Sequence, residues 1–288
     1  MSTPQATNAQ IEEYRVALQK IEGLHGNMAV LSRLGTLLKD PNTGIDDIGR
    51  LLQTDGALST SVIRVSNSIQ FGVGQKTTSL HDALIKVGFN RVISLLGAAL
   101  SKQVFMKDLV AYGMSADEYW SYSYFCAVFL EGRAQRLGKP ADEAYLVGLL
   151  HALGRVVINE LLSKTHPGLH WNRTTNLDDW EYLTVGFKAT DAGATLLRNW
   201  KLNPAVHVRV SNQNVALARA ADPLLIALDY ARTCAELNKY RLETNPWILP
   251  AEHAIMQSPD YNPGRMADEI EQAQFTCRQV RDALKRNA

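Results

Sequence analysis

Apolar residues recur every three or four positions along nearly the whole chain, and no segment sustains the alternation of a half-buried strand. That spacing stacks side chains on one side of an α-helix, so the chain is committed to helices and has no material left for a sheet. Residues 11–21, 45–52, 57–66 and 91–105 all read this way. The helix starts and stops agree with the period. Asp40-Pro41-Asn42-Thr43-Gly44 is a turn cluster, Asp46 and Asp47 suit a helix's first turn, and Asp55 can cap the next helix. Ser79 with Asp82 and Ser115 with Glu118 have capping-box spacing, whereas Gly88 and Gly138 mark stops and Phe71 to Gly74 a loop. Pro140, Pro204 and Pro223 each stand where a helix can begin. One helix is predicted to carry the apolar run 145–162. One or two span 178–200, another 223–237, and an amphipathic helix closes the chain over 267–285 after a looser connection at 244–263. The predicted fold is all-α in two lobes, residues 1–110 and 111–288.

Composition excludes several classes. At 46% apolar and 20% charged, the 288 residues can bury a core, which a disordered chain cannot. The net charge of +1 supplies no global field for nucleic acid or anionic lipid. Cys126, Cys234 and Cys277 are odd in number and far apart, which argues against a disulfide framework and a CxxC metal site. No run of 18 apolar residues occurs, and Met1 to Gln10 is polar, so neither a membrane span nor a signal peptide is expected and the location expected is cytoplasmic.

Five landmarks, in order, carry a family resemblance. They are residues 37–72 (with DDIGRLLQTDGALSTSVIRVSNSIQFG), 77–100 (TTSLHDALIKVGFNRVISLLGAAL), 119–123 (YWSYS), 144–158 (AYLVGLLHALGRVVI) and 185–204 (VGFKATDAGATLLRNWKLNP). Together the chain resembles the HDOD family, the HD-related output domain of bacterial signalling proteins, over roughly residues 24–235. The resemblance implies an HD-like helical domain packed with an N-terminal helical lobe, related to metal-dependent phosphohydrolases. Those enzymes surround one or two metal ions with a His, a His-Asp pair and a distant Asp, and the metal activates water. Set against that pattern, Tyr122 stands at the first His and His151-Ala152 at the pair. Ala189 falls where a third His is common, and Ser211-Asn212-Gln213 where another His pair often occurs. Only His151 and Asp229 still resemble ligands, and a catalytic zinc ordinarily takes three protein ligands plus water. The resemblance therefore implies a module without metal, cofactor or catalysis.

The expected function is a bacterial signal-transduction module that binds a protein partner or a small ligand. The remnant pocket is assigned to Tyr122, His151, Asp229, Asp191 and Asn212, in hydrogen-bonding roles. His151 lies in an apolar run and reads as a buried neutral imidazole, with Asp229 a candidate partner. His166 and His170 have the spacing of helical metal ligands, but Pro167-Gly168 breaks the helix they need, which makes them loop residues. The aromatic residues Tyr119, Trp120, Tyr122, Tyr124, Phe125 and Phe129 crowd one helix on more than one face, so some are expected at a lobe interface. Two alternatives stay open. One is a metal-dependent phosphohydrolase for nucleotides or phosphoesters with an altered site. The other is nucleic-acid binding through residues 56–107, where six basic residues face one acidic. Arg64, Lys76, Lys86 and Arg91 form that candidate docking or nucleic-acid surface, although the second helix of the pair offers Arg64 alone as a cation.

Overall fold

A computed structural model describes residues 5–20, 42–53, 56–68, 76–88, 107–243 and 247–285, with residues 30, 33, 37, 40, 92, 94–97 and 99. Asp55, Arg91, Lys102 and the loop expected at Phe71 to Gly74 lie outside them. Among the described residues the secondary structure is helical, apart from one isolated bridge between Leu109 and Met114.

The helices are α1 (Asn8–Lys20), α2 (Ile45–Gln53), α3 (Gly56–Ser66), α4 (Leu80–Val87), α5 (Ala116–Arg136), α6 (Ala141–Leu150) and α7 (Leu153–Thr165). They continue as α8 (Leu177–Val185), α9 (Ala189–Asn199), α10 (Pro204–Asn212), α11 (Ala216–Ala221), α12 (Pro223–Leu237) and α13 (Pro263–Lys285). Several starts fall where the capping box at Ser115 and the prolines at 204 and 223 place them, and the structure adds the side-chain caps of the last two. Ser115 and Glu118 form a full capping box on α5, and Asn203 and Asp222 cap the proline-led α10 and α12. Ser79 accepts from the Asp82 amide at the start of α4.

Helices α2, α3 and α4 pack on one another around Ile48, Leu52, Leu58, Val62 and Leu84. The larger group is built on α5, which is covered by α6, α12 and α13. This answers the aromatic crowding: all six aromatic residues are buried, because a helix apolar on every side must be surrounded. Each such ring contributes about 1.5–3 kcal/mol of burial free energy. Both chain ends cross the boundary expected near residue 110. Helix α1 lies on α8 and α9, with the Tyr14 hydroxyl donating to Thr165 Oγ1 at 3.0 Å, and α13 packs on both α3 and α5.

Two expectations for the helices are corrected or sharpened. The span 178–200 is two helices, because Gly186 adopts φ +80°, ends α8 and turns the chain; an added Cβ there would meet Ile11 Cγ2 at 2.5 Å. The run 145–162 is not one helix. It breaks at His151–Ala152, so that α6 packs on α5 while α7 packs on α9. The approach of α7 to α9 is close: a Cβ on Gly154 would lie 1.9 Å from the Ala189 carbonyl oxygen. The stretch Ala141–Thr165 is long and apolar enough to cross a membrane by length and composition, and 78% of its most apolar window is buried inside the fold. It serves here as core.

Candidate functional site

The break at 151–152 opens into a polar cavity of about 320 Å³. Its wall takes His151, Ala152 and Arg155 from the α6–α7 junction, Asp178 and Glu181 from α8, Ala189 and Thr190 from α9, and Arg219, Asp229 and Arg232 from α11 and α12. The first residues of α8 and α9, Leu177 and Ala189, stand in this wall with Ala152, the N-cap of α7, which makes no side-chain capping bond. Helix N-termini carry partial positive charge, which adds to that of the arginines.

His151 is 3% exposed. Its Nδ1 donates to the Gly148 carbonyl at 2.7 Å, which leaves Nε2 as the lone-pair nitrogen, and that atom has no hydrogen-bond partner. Burial, then the field of Arg232, depresses its pKa well below the ordinary value, so the imidazole is neutral. Tyr122 packs edge-on against it, ring centroids 4.7 Å apart. The Tyr122 hydroxyl accepts from Arg232 Nε at 3.3 Å. Arg232 also donates to Gln213 Oε1 at 3.1 Å and Asn214 Oδ1 at 2.9 Å, and Gln213 in turn donates to the His151 carbonyl at 2.8 Å.

Arg155, 7% exposed, lies over the rings of Tyr112 at 5.7 Å and Tyr122 at 5.4 Å. Among the described residues no oxygen accepts a hydrogen bond from its guanidinium, and neither Arg155 nor Arg232 forms an ion pair. The carboxylates of the wall are engaged elsewhere. Glu181 accepts from the Tyr112 hydroxyl at 3.0 Å and the Ala189 amide at 2.7 Å, and burial pushes its pKa up to about 7. Asp178 pairs with Lys188 at 3.3 Å and accepts from Asn214 at 2.8 Å.

Of the remnant-pocket residues expected from sequence, Tyr122, His151 and Asp229 come together here and the other two do not. Asp229 does not pair with His151. It pairs with Arg219 at 3.1 Å and with His253 Nε2 at 3.1 Å, because α11 and the segment at His253 lie against the α12 face that carries it. Burial acts to raise the Asp229 pKa, but His253, Arg219 and Arg232 outweigh it and hold the carboxyl below its ordinary value. Asp191 and Asn212 line a separate hollow of about 230 Å³ with Arg198 and His207. Asp191 turns back to its own helix start and accepts from the Lys188 amide at 3.3 Å. His170 is an exposed loop residue and His166 ends α7, so the i, i+4 pair does not form on one helix.

The expected basic surface is also partly engaged. Arg64 donates to the Leu284 carbonyl at 3.4 Å and Lys86 to Asn67 Oδ1 at 3.3 Å, while Lys76 is exposed. Arg155, Arg219 and Arg232 were not singled out from sequence. The signal available was a lone charge within an apolar helical run, as at Leu153 to Ile158.

A metal ion does not fit the cavity. Ala152 and Ala189 offer no side-chain donor, no group of three His, Cys, Asp or Glu among the described residues is arranged to hold an ion, and three arginines line the space. A dication about 6 Å from one guanidinium is repelled by roughly 5 kcal/mol at an effective dielectric near 20.

The fold and cavity thus define an all-helical, HD-like scaffold that has tyrosine and alanine at positions where the family resemblance puts metal donors, and arginines beside them. The chain matches the HDOD domain over residues 27–215 and belongs to that family. In structure it is similar to an HDOD domain protein of unknown function from Geobacter sulfurreducens, at 18% identity and TM-score 0.68, covering 94% of this chain and 97% of that one. A Shewanella amazonensis SB2B protein named for phosphohydrolase activity matches at 18% identity and TM-score 0.67, over 94% and 98% of the two chains. A Marinobacter aquaeolei VT8 protein named for signal transduction matches at 17% identity and TM-score 0.67, over 99% of this chain and 68% of that one. At these identities the likeness is one of fold. An uncharacterized protein of Treponema pallidum (strain Nichols) is 27% identical over 172 residues, 57% of this chain. The chain spans about a third of that relative's length, 32%.

Proposed function

We propose that this protein is a non-catalytic, cytoplasmic bacterial signal-transduction module that senses a small ligand in the cavity at the α6–α7 break and passes the state on to a protein partner. The observation that carries the reading is the pair Arg155 and Arg232 in the wall of the cavity, hydrogen-bonded by no carboxylate among the described residues and standing beside Ala152 and Ala189, where the family resemblance would put metal ligands. Cationic groups there oppose a dication and leave no means of lowering the pKa of a bound water. The cavity is of ligand size, at the lower end of the range for small-molecule sites.

One observation favours the metal-dependent phosphohydrolase as a second reading. His151 donates through Nδ1 to a backbone carbonyl and keeps Nε2 bare, which is how metal-ligating histidines are oriented. The test is hydrolysis of p-nitrophenyl phosphate and its bis ester by the purified full chain with added Mn²⁺. The proposal expects no rate above that of the metal alone. Turnover that requires His151 and stops on chelation overturns it.

A further inference from the structure

We infer that the cavity is a receptor for a small oxodianion, a phosphomonoester or a dicarboxylate, clamped by Arg155 and Arg232. The inference deepens the ligand-sensing reading above and rests on it. A guanidinium has five N–H donors in a planar fork that matches a carboxylate or phosphate edge. A buried one is ordinarily paired, because an unpaired buried charge is costly. Arg155 breaks that rule within this chain: it is buried, flanked by two tyrosine rings and without an acceptor among the described residues.

Its geometry is nevertheless constrained. The rings of Tyr112 and Tyr122 flank the guanidinium, and each ring is itself tied, through Tyr112 to Glu181 and through Tyr122 to Arg232. The fork is therefore held in place before any ligand arrives, which lowers the ordering cost of binding. Arg232 reaches the same cavity with only neutral acceptors, the Tyr122 hydroxyl and the Gln213 and Asn214 amides. Arg219 is already neutralised by Asp229. Glu236 acts through space on both guanidinium groups, Glu181 on Arg155 and Asp229 on Arg232, but among the described residues no carboxylate hydrogen-bonds either one, so two cationic groups stay available to a doubly charged anion that can engage both. The N-terminal residues of α7, α8 and α9 in the wall add positive potential of the same sign, and the α7 start has no side-chain cap of its own. Thr190, Asn176 and Asn214 supply neutral hydrogen-bonding groups for the rest of the ligand.

The experiment is calorimetric titration of the full chain with inorganic phosphate, ribose 5-phosphate and succinate, with acetate as the singly charged control. At least one dianion is expected to bind saturably at one site, and acetate at least about tenfold more weakly. Phosphate or ribose 5-phosphate against succinate identifies the source of the dianion. Arg155→Met keeps the packing between the rings, and Arg232→Gln keeps most of the hydrogen bonding; each is expected to weaken binding by about tenfold or more, whereas Lys164→Ala on the exposed face of α7 leaves it unchanged. Phenylglyoxal modification of the wild-type chain, mapped by mass spectrometry, gives a readout that needs no variant: the bound dianion protects Arg155 and Arg232.

No binding by any of the three dianions overturns the inference, as does binding that leaves both arginines unprotected or survives both substitutions. Metal-dependent release of phosphate from ribose 5-phosphate would instead overturn the non-catalytic reading while leaving the receptor intact. Absence of both binding and release removes the receptor alone.

Discussion

Gly154→Ala perturbs the contact that positions the cavity wall. The added Cβ would lie 1.9 Å from the Ala189 carbonyl oxygen, 2.7 Å from its carbon and 2.8 Å from the Gly193 amide nitrogen. Ordinary contact begins near 3.4 Å, so the backbones of α7 and α9 must separate by about 1.5 Å (3.4 minus 1.9). No flexible side chain is available to yield, because all three obstacles are backbone atoms. Overpacking a tight site costs about 1–3 kcal/mol and sometimes more; a backbone clash belongs at the upper end, about 3 kcal/mol. Alanine's better helix propensity returns at most about 1 kcal/mol of that. The net loss of about 2 kcal/mol or more lowers Tm by roughly 4 °C or more in a chain of this size. Gly132→Ala is the matched control: it lies within α5, and its added methyl meets nothing within 4 Å. There propensity acts unopposed, and Tm should rise by roughly 2 °C. Differential scanning calorimetry of the two variants gives both signs. A Gly154→Ala protein as stable as wild type would refute the close approach of α7 to α9.

Glu181 gives a pH signature. Burial raises its pKa to about 7 from the ordinary 4.5, so between these values the unfolded chain has released a proton that the folded chain keeps. Stability contributed by this group therefore falls as pH rises through that window, and Glu181→Gln should flatten the Tm profile between about pH 4.5 and pH 7. Parallel profiles would contradict the burial effect. Arg133, 3% exposed on α5, pairs with Asp260 and with Glu269 on α13, and Arg136 shares Glu269. Arg133→Ala leaves Glu269 buried with half its partners and should cost about 3 kcal/mol in a denaturant titration; a change below about 1 kcal/mol would show the pair contributes little.

The helices were legible because their signals are local: Ser115 with Glu118, and the prolines at 204 and 223, all act within one turn. The break at 151–152 was not, since nothing in an apolar run from 145 to 162 marks Gly154 as the point where another helix crosses. The same division holds at the site. Missing donors at Ala152 and Ala189 could be read directly, and both residues do line the cavity. Placing Asp191 and Asn212 depended on helix phase and packing, and they fell on a different hollow. Arg155 and Arg232 were overlooked although the reasoning that singled out His151 and Asp229, a polar group stranded on an apolar helix, applied to them equally. A charge in such a position must find a partner or serve a ligand.

The most direct measurement is a titration of Mn²⁺ into the full chain, following the free aquo-ion by electron paramagnetic resonance. A site lined by Arg155 and Arg232 and short of donors predicts the same free-ion signal with and without protein. Depletion of the signal that saturates near one equivalent, and that is abolished by His151→Ala, would contradict a metal-free cavity.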